Sequence, residues 1–288
     1  MTTLPSLFVS HGSPMLALEP GVTGAFMQQL GPAIDAAFGR PRAIVVASAH
    51  SLTREPVLLA APRHDTVHDF GGFPAALYEL RYDAPGAPEL APRVAQRVRD
   101  AGLPVHVTSD GGLDHGIWVP LRYAYPQADV PVLPLAFPPD WSPEKLFALG
   151  RALAPLRDEG ILVMGSGSIT HNLRLVFSRR PHDQTALDGE PEMPESAAFR
   201  RWFAQCSAAQ DTAALFDYRR QAPHAALMHP TDEHLLPWFV AAGAGSEGPA
   251  LRVHDSVSVG CLGMDAYAFG AGAQALAQRI AQPSAVPV

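Results

Sequence analysis

Short, nearly unbroken apolar runs alternate along the chain with longer stretches in which apolar residues recur every three or four positions. The runs predict strands at 5–10 (PSLFVS), 43–48 (AIVVAS), 56–60 (PVLLA), 104–108 (PVHVT), 130–136 (VPVLPLA), 160–165 (GILVMG), 250–254 (ALRVH) and 264–269 (MDAYAF). The longer stretches predict helices at 22–38, 88–102, 142–157, 193–208, 211–219 and 232–243. Ser142-Pro143-Glu144-Lys145 reads as an N-cap followed by proline at the first helical position. Strands alternating with helices of this length predict an α/β fold, a mostly parallel central sheet flanked by helices. Strands at 43–48 and 160–164 are apolar throughout, as strands buried on both faces are. No repeat or low-complexity linker interrupts 1–288, which is read as one domain. The polar, proline-rich stretch 178–195 reads as a long surface loop, and 283–288 as a frayed tail.

Composition narrows the function classes. The chain has 288 residues, 47% hydrophobic and 17% charged, with a net charge of −7 and no basic stripe, so nucleic acid is not an expected partner. No uninterrupted apolar stretch of about 18 residues predicts a membrane span. Cys206 and Cys261 form no CxxC pair or disulfide framework, and the N-terminus lacks the pattern of a secretory signal, so a cytoplasmic location is expected. There is no Walker A motif, HExxH or GxSxG elbow, and the GSGS at 165–168 has no following lysine.

Twelve histidines are the chemical signal. In open α/β sheets, ligands bind beyond the carboxyl ends of the strands. His11, His50, His115 and His171 each follow a predicted strand, so parallel strands bring these four imidazoles to one edge of the sheet. Neutral imidazole binds divalent metals through one nitrogen and orients itself through the other, and a non-ligating histidine shuttles protons near neutral pH. Each has a plainer alternative: a turn cap at His11, buried carbonyls at His50, a structural loop at His115 with Asp114 beside it, a hydrogen-bonded turn at His171. His234 falls in the first turn of the predicted helix at 232–243, with Thr231 as its cap. A positive charge is disfavoured there, an objection that a neutral, metal-bound ring removes. His64 and His68 have i, i+4 spacing, but the Asp69-Phe70-Gly71-Gly72 that follows argues for a loop, with His68 at most lining a pocket.

The stretches FVSHGSPM (8–15), SAHS (48–51), HDFGGFPAALYELRYDAPG (68–86), DHGIWVPL (114–121), GSGSITHNL (165–173) and EHLLPWFVAAGAG (233–245) together resemble the type III extradiol ring-cleavage dioxygenases, in their DOPA 4,5-dioxygenase-like branch. The resemblance implies a non-haem Fe(II) site that opens a catechol beside its two hydroxyls with O₂, giving a muconic semialdehyde-type product. It implies His11, His50 and His234 as metal ligands and His171 as catalytic acid–base. It also implies His115 as a second pocket histidine near the substrate or oxygen; His171 and His115 are the expected catalytic residues, and both are expected to bind substrate together with the pocket-lining His68. Phe70, Phe73 and Tyr82 fall in its loop. Glu233 stands beside His234, and a glutamate is the third ligand in the protocatechuate-cleaving members, so the pair remains open on chemistry alone. Three histidines with an open position also describe catalytic zinc, so a zinc-dependent hydrolase or deaminase is the alternative. The expected partners are a small catechol and O₂, and a homo-oligomer is compatible with the sequence. Arg54, Arg63, Arg81 and Arg174 are the candidates for a substrate carboxylate.

Overall fold

The computed structural model describes residues 3–179 and 190–282. Its centre is an eight-stranded sheet of β1 (Ser6–Ser10), β2 (Ala43–Ser48), β3 (Val57–Leu59), β4 (His106–Thr108), β5 (Val132–Ala136), β6 (Ile161–Gly167), β7 (Ala250–His254) and β8 (Ala266–Phe269). The spatial order is β4-β3-β5-β2-β6-β1-β8-β7. The central strands β5, β2, β6 and β1 are parallel, and β3, β4 and β8 run against them. All eight predicted strands form, mostly trimmed by one or two residues, and the sheet is mostly parallel where it matters for the site.

Period-2 alternation divides the apolar residues between two cores. Leu7, Val9, Ile44, Val46, Leu162 and Met164 face one side, against α1 (Gly21–Phe38), α3 (His115–Ala124) and α8 (Ala273–Ala281). Phe8, Val45, Ala47, Ile161 and Val163 face the other. There they meet α2 (Ala91–Asp100), α4 (Pro143–Leu153), α6 (Pro194–Ala208) and α7 (Leu236–Ala244). These buried residues are each worth about 1.5–3 kcal/mol against exposure, so the strand ends are carried on a rigid frame. Between β6 and α6 lies α5 (Leu173–Arg179).

Several expectations are corrected. Helix α3 is not visible in the periodicity, and neither is α8. The stretch 211–219 is two short helices, Thr212–Phe216 and Tyr218–Gln221, divided at Asp217. Helix α7 begins at Leu236, not at 232, so His234 precedes the helix instead of occupying its first turn. The tail 283–288 and most of the loop 178–195 lie outside the described residues.

Candidate active site

Parallel β1, β2 and β6 deliver their last residues to one edge. The His11 N–H donates to the Gly167 carbonyl at 3.0 Å, fixing the end of β1 beside β6. Gly12 then turns the chain at φ +69°, where a Cβ would also come within 2.6 Å of the Met264 methyl. His50 follows β2 by two residues, its N–H donating to Ser48 Oγ. Ser48 and Ser51 hydroxyls both donate to Asp114 at 2.6 Å, so this buried carboxylate braces the turn that carries His50 and does not orient His115. Burial pushes the Asp114 carboxyl up, against the two serine hydrogen bonds.

His115 reaches the site by a different route from the expected one. Because β4 runs against the central strands, its carboxyl end does not point to this edge. The chain returns through a two-residue ladder, Asp65–Thr66 with Gly112–Leu113, and His115 opens α3. Its N–H donates to Asp69 Oδ1 at 2.8 Å and its Nδ1 lies 2.9 Å from Asp69 Oδ2. His171 is tied by its N–H to the Met228 carbonyl at 2.9 Å. The segment carrying His234 is pinned to β6: the Ser168 N–H donates to the His234 carbonyl at 2.8 Å, and a side chain at Gly167 would run into that same oxygen. Thr231 does not cap a helix; its hydroxyl donates to Glu233.

Five imidazoles converge here. The ring centroids of His11, His50 and His234 are 5.0, 5.0 and 5.4 Å apart, close to an equilateral triangle. His115 lies 4.0 Å from His50, and His171 stacks on His234 at 3.4 Å with the planes 7° apart. Among the described residues, two groups have their donor atoms within 4.8 Å of one another, His11–His50–His115 and His171–Glu233–His234, so His234 falls in a different group from His11 and His50.

The Nδ1 partners show which ring atoms are available. Ser166 Oγ donates to the Gly116 carbonyl, so it accepts from His11 Nδ1–H at 3.0 Å. The carboxylates of Asp69 and Glu233 lie 3.3 and 3.1 Å from Nδ1 of His50 and His234. Each of these rings therefore carries its proton on Nδ1 and keeps a lone pair on Nε2. The Nε2 atoms of His11 and His50 face each other at 3.1 Å. Two lone pairs at that distance repel unless a cation or proton lies between them. A metal about 2.1 Å from each of two imidazole nitrogens holds them roughly 3.0–3.4 Å apart, so the donor set fits a divalent transition ion. Burial and the neighbouring rings lower the pKa of all three, His50 to about 4 and His11 and His234 well below the usual value, so the rings are neutral at pH 7. Burial likewise lowers His171 to about 3.

Other histidines stand apart. His68 does not line the cavity over the rings; its Nε2 meets the Leu80 carbonyl, and it stands behind Phe70. His64 is buried against the Val132 carbonyl, His106 pairs with Glu55 at the surface, and His229 holds the Ile169 carbonyl at 2.7 Å. Asp69, Ser166 and Ser48 carry the site and were not singled out by the sequence. The only signal for Asp69 was its place beside His68 in HDFGG, where it read as part of a loop. A cavity of about 330 Å³ opens over the five rings, walled by Phe70, Phe73, Val176, Phe177 and Leu262.

Comparison with known proteins identifies the family of the whole chain. A family model described as the catalytic LigB subunit of aromatic ring-opening dioxygenase matches residues 5–270. The 4,5-DOPA dioxygenase extradiol of Beta vulgaris is 37% identical over 267 residues, covering 92% of this chain and 96% of that protein. The Escherichia coli (strain K12) protein of the same name is 37% identical over 274 residues, covering 93% and 96%. A crystal structure of an uncharacterized Escherichia coli K12 protein aligns with a TM-score of 0.72 at 30% identity, over 93% of this chain and all of that one.

Proposed function

The chain belongs to the LigB family of aromatic ring-opening dioxygenases, and from that premise we propose that it is an extradiol enzyme acting on a catechol at a single iron held by His11, His50 and His234. The observation that carries the ligand set is the near-equilateral triangle of those three rings, each with Nδ1 committed to an oxygen and Nε2 free. Glu233 is the less suited third ligand, because its Oε1 already accepts from Thr231 and faces Nδ1 of His234. His115 also gives its Nδ1 to Asp69 and groups its donor atom with those of His11 and His50, so the choice of His234 over His115 as third ligand is supported by the family resemblance and not by donor distances.

When bound, ferrous iron supplies the electron path between catechol and O₂ that these side chains lack. The chain's own residues bind the substrate and handle its protons. His115, its Nδ1–H given to Asp69, offers Nε2 to a catechol hydroxyl. His171 lines the cavity beside His234 and outside the ligand triangle, placed to accept a hydroxyl proton and return it as the ring opens. Phe70 and Phe73 wall the ring's space and exclude water. Both atoms of O₂ enter the product, a muconic semialdehyde-type acid, and no external reductant is needed.

The test is anaerobic loading with one equivalent of Fe(II), addition of a catechol panel, and measurement of O₂ uptake. One O₂ consumed per catechol with a yellow product is the expected result. Silence across the panel with iron verifiably bound overturns the reading. Turnover of another substrate with zinc and no O₂ uptake would favour a hydrolase or deaminase at the same rings.

A further inference from the structure

The wall of the cavity carries a chemical preference of its own. Helix α5 turns Leu173, Val176 and Phe177 towards it, one stripe at i, i+3, i+4 spacing. Leu173 and Phe177 remain 50% and 54% exposed, among the most exposed large apolar residues of the described chain. The same cavity is lined by Phe70 and Phe73, 5.4 Å apart edge to face, with Phe70 further held against Tyr78 and Trp118. An aromatic wall braced this way is preorganised to receive a flat or alkyl group.

Charge points the same way. Among the described residues that line the cavity there is no arginine or lysine, and the one carboxylate is Asp69. The four arginines considered for a substrate carboxylate do not line it. Arg63 reaches the Asp83 carbonyl, and Arg81 is paired with Asp65 and Asp83. Arg174 lies off the apolar stripe of its helix. On the described wall of the cavity, an anionic substituent meets apolar carbon and the Asp69 carboxylate.

Building on the catechol reading above, we infer that the cavity selects a catechol whose ring substituent is uncharged and apolar, seated between Phe70–Phe73 and the Leu173–Val176–Phe177 face. The relatives' named substrate carries an amino acid group; the preference inferred here departs from it.

The test uses a nearly isosteric pair, 4-(3-methylbutyl)catechol and 3-(3,4-dihydroxyphenyl)propanoate. Binding is measured anaerobically by calorimetry on zinc-loaded protein, and kcat/KM by O₂ uptake on iron-loaded protein. The alkyl compound should bind at least about 10-fold more tightly, a discrimination of the size apolar pockets deliver. Phe177→Arg should narrow or invert that ratio, and Leu173→Arg should do the same should the first variant fail to fold. Equal or tighter binding of the propanoate by the wild-type protein overturns the inference, as does failure of both to bind. Selective binding with no turnover of either compound on iron overturns the ring-cleavage reading and upholds the pocket preference.

Discussion

Asp69 touches two rings with one carboxylate: Oδ2 faces Nδ1 of both His50 and His115, while Oδ1 accepts the His115 N–H. Its removal therefore disturbs a proposed ligand and a proposed proton acceptor together. Asp69→Asn should lower metal affinity and kcat/KM by about 10–100-fold each, the usual size for partners behind a metal ligand. Chelator competition and O₂ uptake measure the two separately; an unchanged metal affinity would show that His50 is oriented by something else. His171→Ala should behave differently. With its ring outside the proposed ligand triangle, metal should stay bound at one equivalent while kcat falls ~10²–10⁴-fold; loss of metal stoichiometry would put His171 among the ligands. The five histidines were legible in the sequence because each follows a strand or stands beside a motif of the resemblance. Asp69, Ser166 and Ser48 were not, because a residue that orients another is identified only by distance, and the partners are up to 155 positions apart.

Helix α3 shows why elements near the site are harder to read than those far from it. Its sequence, HGIWVPLRYA, places Gly116 and Pro120 inside the helix, and both weaken a helical assignment. Yet Pro120 has a consequence that the fold uses. It has no N–H to give to the Gly116 carbonyl four residues back, and its ring presses that carbonyl aside. The freed carbonyl accepts the Ser166 hydroxyl, which in turn accepts from His11 Nδ1. A helix defect is thus the first link of a relay that fixes a proposed ligand's tautomer. Pro120→Ala should restore a competing N–H. Thermal stability should hold or rise, since interior proline costs a helix up to ~3 kcal/mol. Metal affinity should fall about 2–10-fold, the equivalent of weakening one buried hydrogen bond. A melting curve and a chelator competition on the same sample decide it; unchanged affinity would mean Ser166 holds its orientation without that carbonyl. The strands were legible because apolar runs leave little choice, whereas their directions were not: period-2 pattern is identical for β4 run either way, so His115 could not be assigned its route from sequence.

At the scale of the whole molecule, acid should be the main threat to the fold. His50 and His229 have folded pKa values lowered to about 4 and His171 to about 3, with burial the first cause in each. Between those values and about 6.5, the unfolded chain binds protons that the folded chain does not, so stability falls as pH falls through that window. For His229, fully buried and outside the cavity lining, a lowering of this size corresponds to about 3 kcal/mol when fully developed. The rings of the site add to the same direction, since each is pressed by its neighbours as well as by burial. Metal changes the magnitude without changing the sign. An ion that binds only the folded state stabilises it by mass action, and protons compete for the same ring nitrogens. Stripping the protein with a chelator should therefore lower the melting temperature at pH 7.5. Lowering the pH to 5 should depress the melting temperature of both forms through protons bound by the unfolded chain, while the gap between them persists there and closes only as pH falls through about 4, where the folded rings protonate and release the ion. A gap already closed at pH 5 would mean that the rings holding the ion protonate well above pH 4, against the burial that holds the imidazoles of His11 and His50 neutral where they face one another at 3.1 Å.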